Sequence, residues 1–222
     1  MSEQLAAIPS RRTQRQMEQP RRGDEKERAI LEAAERAVRN GTFESVTISA
    51  MAASAGVSRS SFYFYFASKD ALLATLIEQV LVDNLSNLKI TASRQDTDLP
   101  SKLHEAVSYI SHTWIIHREI LCAAVELSHR MPAIAELWSN AILGSVEIFI
   151  ERLDFPSLTS TDPAFRRQAH ILAWAQERNL YHLAKSGGDI NAFEVLAQDL
   201  TNMWLTFLQV SQECPCSKNK GE

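Results

Sequence analysis

From Ser68 to about residue 210 the apolar residues recur every three or four positions almost without interruption, and that period leaves helix as the regular structure open to most of the chain. Seven Gly and seven Pro in 222 residues are too few for a turn-dense β sandwich and suit long helices. The pattern predicts helices near 68–91, 99–116, 118–129, 132–153, 163–186 and 190–210. Pro100 and Pro132 stand near helix starts, Asp162-Pro163 reads as an N-cap followed by proline, and Gly187-Gly188 separates the last two helices. Strand signals and internal repeats are missing, so the expected class is all-α. At 45% hydrophobic residues a chain of this length can bury roughly 70% of its unfolded surface without metal or disulfide support.

The first seventy residues are punctuated differently. Asp24 and Glu27 suit a capping box opening a helix through Ile30, Ala33, Ala34, Ala37 and Val38, which Asn40-Gly41 stops. Thr47 caps a second, short helix with Ile48, Met51, Ala52 and Ala55 on one side, and Gly56 ends it. Ser58 caps a third. Two short helices across a tight turn need mutual packing and a third helix to be stable, which is helix-turn-helix geometry; an ordinary helical hairpin has the same spacing.

The third segment is Ser58-Arg59-Ser60-Ser61 followed by five aromatics, Phe62 to Phe66. Alternating Phe and Tyr suit a strand as well, but capping serines precede the run, a helical pattern starts at Ser68, and a lone strand would have no partner. On a helix, Phe62 and Phe66 face inward with Met51 and Val57, while Arg59, Ser60, Ser61 and Tyr63 face outward. Hydroxyls and one guanidinium at a helix tip are chemistry that reads base edges in the major groove, and Lys69 at the next helix start suits a phosphate.

Charge divides the chain in the same place. Residues 1–70 hold eleven Lys and Arg against nine Asp and Glu, net +2, and the remainder nets −6 of the overall −4. Residues 1–23 carry Arg11, Arg12, Arg15, Arg21 and Arg22 against Glu3 and Glu18, with Pro9, Pro20 and Gly23 as helix breakers. They read as a flexible basic arm, either a solubilising tail or a contact to phosphates or the minor groove. Between residues 40 and 70 only Arg59 and Lys69 are cationic, so affinity for a polyanion would lean on that arm.

Other function classes have weak support. No signal-peptide core opens the chain and no segment of about 20 apolar residues suits a membrane span, so a cytoplasmic protein without membrane partners is expected. Cys122, Cys214 and Cys216 are an odd number and read as free thiols; Cys214 and Cys216 form a Cys-x-Cys pair with no further ligands nearby. The six histidines do not fall at metal-ligating helical spacing, and no phosphate-binding glycine loop or nucleophile elbow occurs. No cofactor or metal is expected. An all-helical enzyme and a protein-interaction module remain as alternatives.

Thr-Ile-Ser-Ala-Met-Ala from Thr47, Ala-Gly-Val-Ser-Arg from Ala55, the aromatic run and Ser-Lys-Asp-Ala-Leu-Leu from Ser68 resemble the DNA-binding domain of TetR-type repressors. One branch of that family also shares Glu136-Leu137-Trp138-Ser139, Glu177-Arg178 and Trp204. The resemblance implies a basic arm (1–23), a three-helix helix-turn-helix DNA-binding domain (24–68), a larger helical ligand-binding and dimerisation domain (69–211) and a polar tail (212–222). It implies a homodimer reading double-stranded, palindromic operator DNA, with Thr47, Ser58, Ser60, Ser61, Tyr63, Tyr65 and Lys69 mostly on phosphates and Arg59 on a base. Thr47 and Ser58 serve equally as plain helix caps, and Tyr65 as core.

The tryptophans Trp114, Trp138, Trp174 and Trp204 fall on four different helices beside Tyr109, Ile110 and Phe149, where they line a pocket or simply fill a core. The resemblance favours the pocket. It implies a small-molecule effector, lipophilic in character, held by Ile110, Trp114, Trp138, Ile142, Trp174 and Trp204, with the Gln176 amide orienting it. Asparagines found in that branch are replaced by Ala173 and Gln176, so ligand preference does not carry over. The last two helices carry Ala169, Leu172, Ala173, Leu180, Leu183, Phe193, Leu196, Leu200, Met203, Leu205 and Leu208, more apolar surface than one core-facing side needs, which points to a pairing surface.

Overall fold

In a computed structural model, residues 22–91, 98–152 and 163–213 are described, and among them the regular structure is helical throughout. Three helices build the head: α1 (Arg22–Arg39), α2 (Ile48–Ser54) and α3 (Arg59–Tyr65). Six longer ones build the body: α4 (Lys69–Thr91), α5 (Leu99–Ile116), α6 (Arg118–Ser128), α7 (Pro132–Arg152), α8 (Pro163–Lys185) and α9 (Ile190–Glu213). These bounds follow the predicted ones to within a few residues. One start differs: α1 already includes Arg22, so Asp24 stands inside the helix and not at its cap, and Gly23 does not break it. Glu25 and Glu27 in the first turns complement the helix dipole and offset the cost of a terminal glycine. Arg11, Arg12, Arg15, Asp162, Cys214 and Cys216 lie outside the described residues.

Caps set the short helices. The Thr47 hydroxyl accepts from Ala50 N at 3.2 Å and the Ser58 hydroxyl from Ser61 N at 3.1 Å. Between them Gly56 has φ +68, a conformation that a side-chain-bearing residue enters at a cost of ~1–2 kcal/mol, although nothing stands within 4 Å of where a Cβ would be. Neither α2 nor α3 is long enough to persist alone. They are held because Phe62, Phe66, Met51 and Ala52 bury with Ile30 and Ala34 of α1 and Leu72 of α4.

In the body, α5 lies along α9, α4 along α7, and α6 is wedged between α7 and α8. The His104 ring nitrogen and Thr201 hydroxyl meet at 3.3 Å across the α5–α9 seam. At the corner joining α8 to α9, a Cβ on Gly188 would stand 2.4 Å from Leu183 Cδ1, so the expected glycine break is also a close packing site. The Arg118 guanidinium donates to the Gly188 carbonyl and lies over Phe193, tying that corner to α6. Head and body meet through α1, which packs on both α4 and α6.

One expectation needs correction, and another divides. Pro132–Glu151 of α7 does have the length and mean hydropathy (1.4) of a membrane-crossing segment, judged by length and composition only. It packs on α4, α6 and α8, and the same apolar surface forms part of the body's interior. On α8 and α9, Ala169, Ala173, Leu180, Phe193, Leu200 and Leu208 are consumed by the chain's own core, because α5, α6 and α7 cover these helices from several directions. Leu172, Leu183, Leu196, Met203 and Leu205 are half-buried, and the exposed large apolar residues of these two helices are Ile171, Ile190 and Val195.

Candidate functional site

The tip of α3 is a polar platform on an apolar post. Phe62 is completely buried, whereas Ser58, Arg59, Ser60 and Tyr63 are exposed and Ser61 is half-buried. The Ser58 hydroxyl lies 2.9 Å from that of Ser60 and donates to that of Ser61 at 3.0 Å, so three hydroxyls form one patch beside the guanidinium. Arg59 lies over the Tyr63 ring, 5.7 Å from its centroid, which lays the cation along the helix surface. Thr47, also half-exposed or better at the start of α2, carries its hydroxyl on its own cap.

Tyr65 is half-buried and packs edge-on against Phe64, with centroids 5.0 Å apart. Phe64 is 81% exposed, an outward aromatic that the sequence reading passed over. Its signal was available: two residues from Phe62 on a helix, it points to the opposite side.

Lys69 differs from expectation in having a packing role. Its ammonium donates to the carbonyls of Glu44 and Val46, both at 3.0 Å, and sits over the Phe43 ring. The first turn of α4 is thereby bolted to the loop between α1 and α2. An ammonium has three donors, so one remains for an outside acceptor.

The second feature is a cavity of about 60 Å³ in the body, walled by α4, α5, α6, α7, α8 and α9. Ile110, Trp114, Trp138, Ile142, Gln176 and Trp204 line it, as the sequence reading placed them; Trp174 does not. On α8 Trp174 is three residues from the outward Ile171 and shares its side of the helix, turned from the Ala173-Gln176-Glu177-Leu180 stripe that faces the cavity. Trp114 and Trp138 meet edge-to-face at 5.9 Å, and Phe149 stacks on Trp204 at 6.0 Å. The Gln176 amide oxygen accepts from the Trp204 indole at 2.8 Å, so only its NH2 is left to orient a ligand.

Asn84, Thr113 and Glu177 also line the cavity and were missed. Thr113 donates to Asn84 Oδ1 at 3.0 Å, across α5 to α4. Glu177 is 4% exposed and neither carboxyl oxygen has a hydrogen-bond partner. Arg178 Nε approaches to 3.7 Å, beyond hydrogen-bonding range, and its guanidinium lies over Tyr181. Burial raises the Glu177 pKa above its ordinary 4.5, and the nearby Arg178, Trp138 and His129 offset only part of that.

A carboxyl whose pKa is raised by folding favours the fold while protonated, so its contribution is intact below about pH 4.5 and is lost as pH rises through the folded value. Urea midpoints of wild type and Glu177→Gln are therefore expected to lie close at acid pH and to separate as pH rises, with the wild type losing ground. Parallel midpoints across pH 4 to 8 would show that the buried carboxyl carries no such penalty.

Elsewhere, burial pushes the thiol of Cys122 up to about 11, which keeps it protonated and inert, in line with the free thiol expected. Among the described residues no group of three or more His, Cys, Asp or Glu is placed to hold a metal ion.

The helix-turn-helix head agrees with known proteins. Residues 30–76 match the family model for bacterial regulatory proteins of the tetR family. A solved tetR-family transcriptional regulator from Streptomyces coelicolor superposes with a TM-score of 0.70 at 15% identity, covering 86% of this chain and 83% of that one, so the fold is shared. The family match thus places a TetR-type DNA-binding domain over residues 30–76 of this chain. The chain is also similar to EthR, an HTH-type transcriptional regulator: the Mycobacterium tuberculosis (strain ATCC 25618 / H37Rv) protein is 32% identical over 119 residues, 53% of this chain. That alignment spans about half of EthR's own length, 55%. EthR of Mycolicibacterium smegmatis is 25% identical over 187 residues, covering 82% of this chain and 86% of EthR. Each of these relatives is a transcriptional regulator.

Proposed function

We propose that the chain is a cytoplasmic repressor that binds a palindromic operator as a homodimer and releases it when a lipophilic effector enters the body cavity. The observation that carries this reading is the α3 tip: its apolar side is fully spent on the core through Phe62, while Arg59 and the hydroxyls of Ser58, Ser60 and Ser61 face outward together. Such groups on the first turn of a recognition helix suit base edges and flanking phosphates. Arg59 is assigned to a base; Thr47, Ser58, Ser60, Ser61, Tyr63, Tyr65 and the third donor of Lys69 are assigned to the backbone.

Pairing is assigned to the outer sides of α8 and α9, where Ile171 and Val195 remain exposed beside half-buried Trp174 and Leu196. A two-fold there sets two α3 tips about one DNA turn apart, roughly 34–36 Å. The domain division at residue 68, between head and body, fits this arrangement.

Coupling runs along α4. Leu81 and Asn84 are cavity wall, and Lys69 at the start of the same helix is bolted to the head loop. The two points are ~18 Å apart along the helix axis. A 60 Å³ cavity is far below the ~300–1,000 Å³ of ordinary ligand sites, so an effector enters only by parting the walls. Moving the α4 wall swings both heads, and the effector acts in proportion to its preference for the spread state.

Footprinting upstream of the chain's own gene identifies the operator. On that DNA, Arg59→Ala is expected to cost ~1–3 kcal/mol and to relax preference at one base position, measured by fluorescence anisotropy at fixed salt. An unchanged affinity would sink the base assignment and leave a protein-binding head as the better reading.

A further inference from the structure

The cavity's chemistry restricts its occupant further than its apolar walls do. Among the described residues that line it, Glu177 is the only ionisable side chain. Both its oxygens are buried without a hydrogen bond of ordinary geometry, with Arg178 at 3.7 Å and the Trp138 indole as the neighbours that favour its charge, although a buried carboxylate ordinarily finds a full set of donors. The neighbouring polar groups do not reach it: Thr113 donates to Asn84, the Gln176 oxygen is held by Trp204, and the Gln176 NH2 makes no hydrogen bond to either carboxyl oxygen. The same cavity is lined by the aromatic rings of Trp114, Trp138, Phe149 and Trp204.

We propose that Glu177 is the polar anchor of the effector site and selects a lipophilic amine over a lipophilic acid or a neutral ester. This rests on the cavity being the effector site. An alkylammonium supplies the N–H donors that the two oxygens lack, and its charge is stabilised by the carboxylate and by the surrounding π systems. An alkyl carboxylate would place a second anion beside Glu177, where Arg178 at 3.7 Å is the nearest cation and already faces the first carboxylate, and an ester offers acceptors where a donor is wanted. Proton balance is simple: a neutral carboxyl meeting a neutral amine hands over its proton, which gives the same ion pair as carboxylate meeting ammonium.

The test is calorimetric titration of the full-length protein with octylamine, octanoate and methyl octanoate, repeated on Glu177→Gln and Glu177→Met. Octylamine is expected to bind wild type at least about tenfold more tightly than either other probe, and to lose about tenfold in both variants while methyl octanoate holds or gains. If methyl octanoate binds but octylamine has no advantage, or keeps its advantage in the variants, the anchor is refuted and the cavity reading stands. If none of the three binds wild type, both fall. Should a variant not fold, the wild-type ranking of the three probes still decides.

Discussion

Phe62→Ala is expected to destabilise the head by roughly 3–5 kcal/mol, the range for truncating a fully buried aromatic. Phe62 has no exposed surface and touches Phe66 and Tyr63 through ring contacts at 6.0 and 5.7 Å. It is also the one fully buried residue of α3, with only half-buried Tyr65 packed against the same core from that seven-residue helix. Against a total stability of about 5–15 kcal/mol, the loss is enough to leave the head largely open. All four tryptophans lie in the body, which makes the result separable. Helical circular dichroism and operator binding are expected to fall, while tryptophan emission and probe binding in the cavity persist. Phe62→Leu is expected to retain most of the stability. A shift in the urea midpoint worth less than about 1 kcal/mol for the alanine variant would mean that α3 is held by something other than this side chain.

That separability follows from how the sequence encodes the two parts. The head was legible because its signals are local: Thr47 and Ser58 cap, Gly56 turns, and Phe62 and Phe66 fall one helical turn apart, all within twenty residues. The body's helices were legible for the same reason, since Pro100, Pro132 and Gly187-Gly188 mark breaks that the backbone cannot ignore. What the period cannot say is which neighbour a side chain meets. Trp174 and Gln176 are two residues apart on α8, and only the packing of α7 and α9 against that helix turns Gln176 inward and Trp174 out. Lys69 looked free because its partners, the carbonyls of Glu44 and Val46, belong to a loop with no side-chain signature. Glu177 stood in plain view on the Ala173-Gln176-Leu180 stripe; that a carboxyl would be left there without a partner is a property of the assembled walls. How the apolar surplus on α8 and α9 divides between the chain's own core and its outer side was hidden in the same way, because the number of helices that would cover them was not written in either one.

Trp204→Ala is the counterpart in the body and is expected to cost ~3–5 kcal/mol for the lost side chain. The indole joins three helices: it rises from α9, donates to Gln176 of α8, stacks on Phe149 of α7 at 25° between planes, and meets Phe207 edge-on at 6.1 Å. Truncation also leaves the buried Gln176 oxygen unpaired, a further ~1–3 kcal/mol unless water enters the enlarged cavity and supplies a donor. Trp204→Phe divides the two contributions, since it keeps most of the ring and removes only the donor, so it is expected to fall between wild type and alanine. The measurement is chemical denaturation at one fixed protomer concentration, because a dimer's midpoint moves with concentration. An enlarged cavity also changes the ligand balance: bulky neutral probes that wild type admits only by parting its walls are expected to bind the alanine variant more tightly relative to its stability, while Glu177 still ranks octylamine first. A Trp204→Ala protein as stable as wild type would mean that α7, α8 and α9 are held together elsewhere, and the cavity would then have no strained wall through which an effector could move α4.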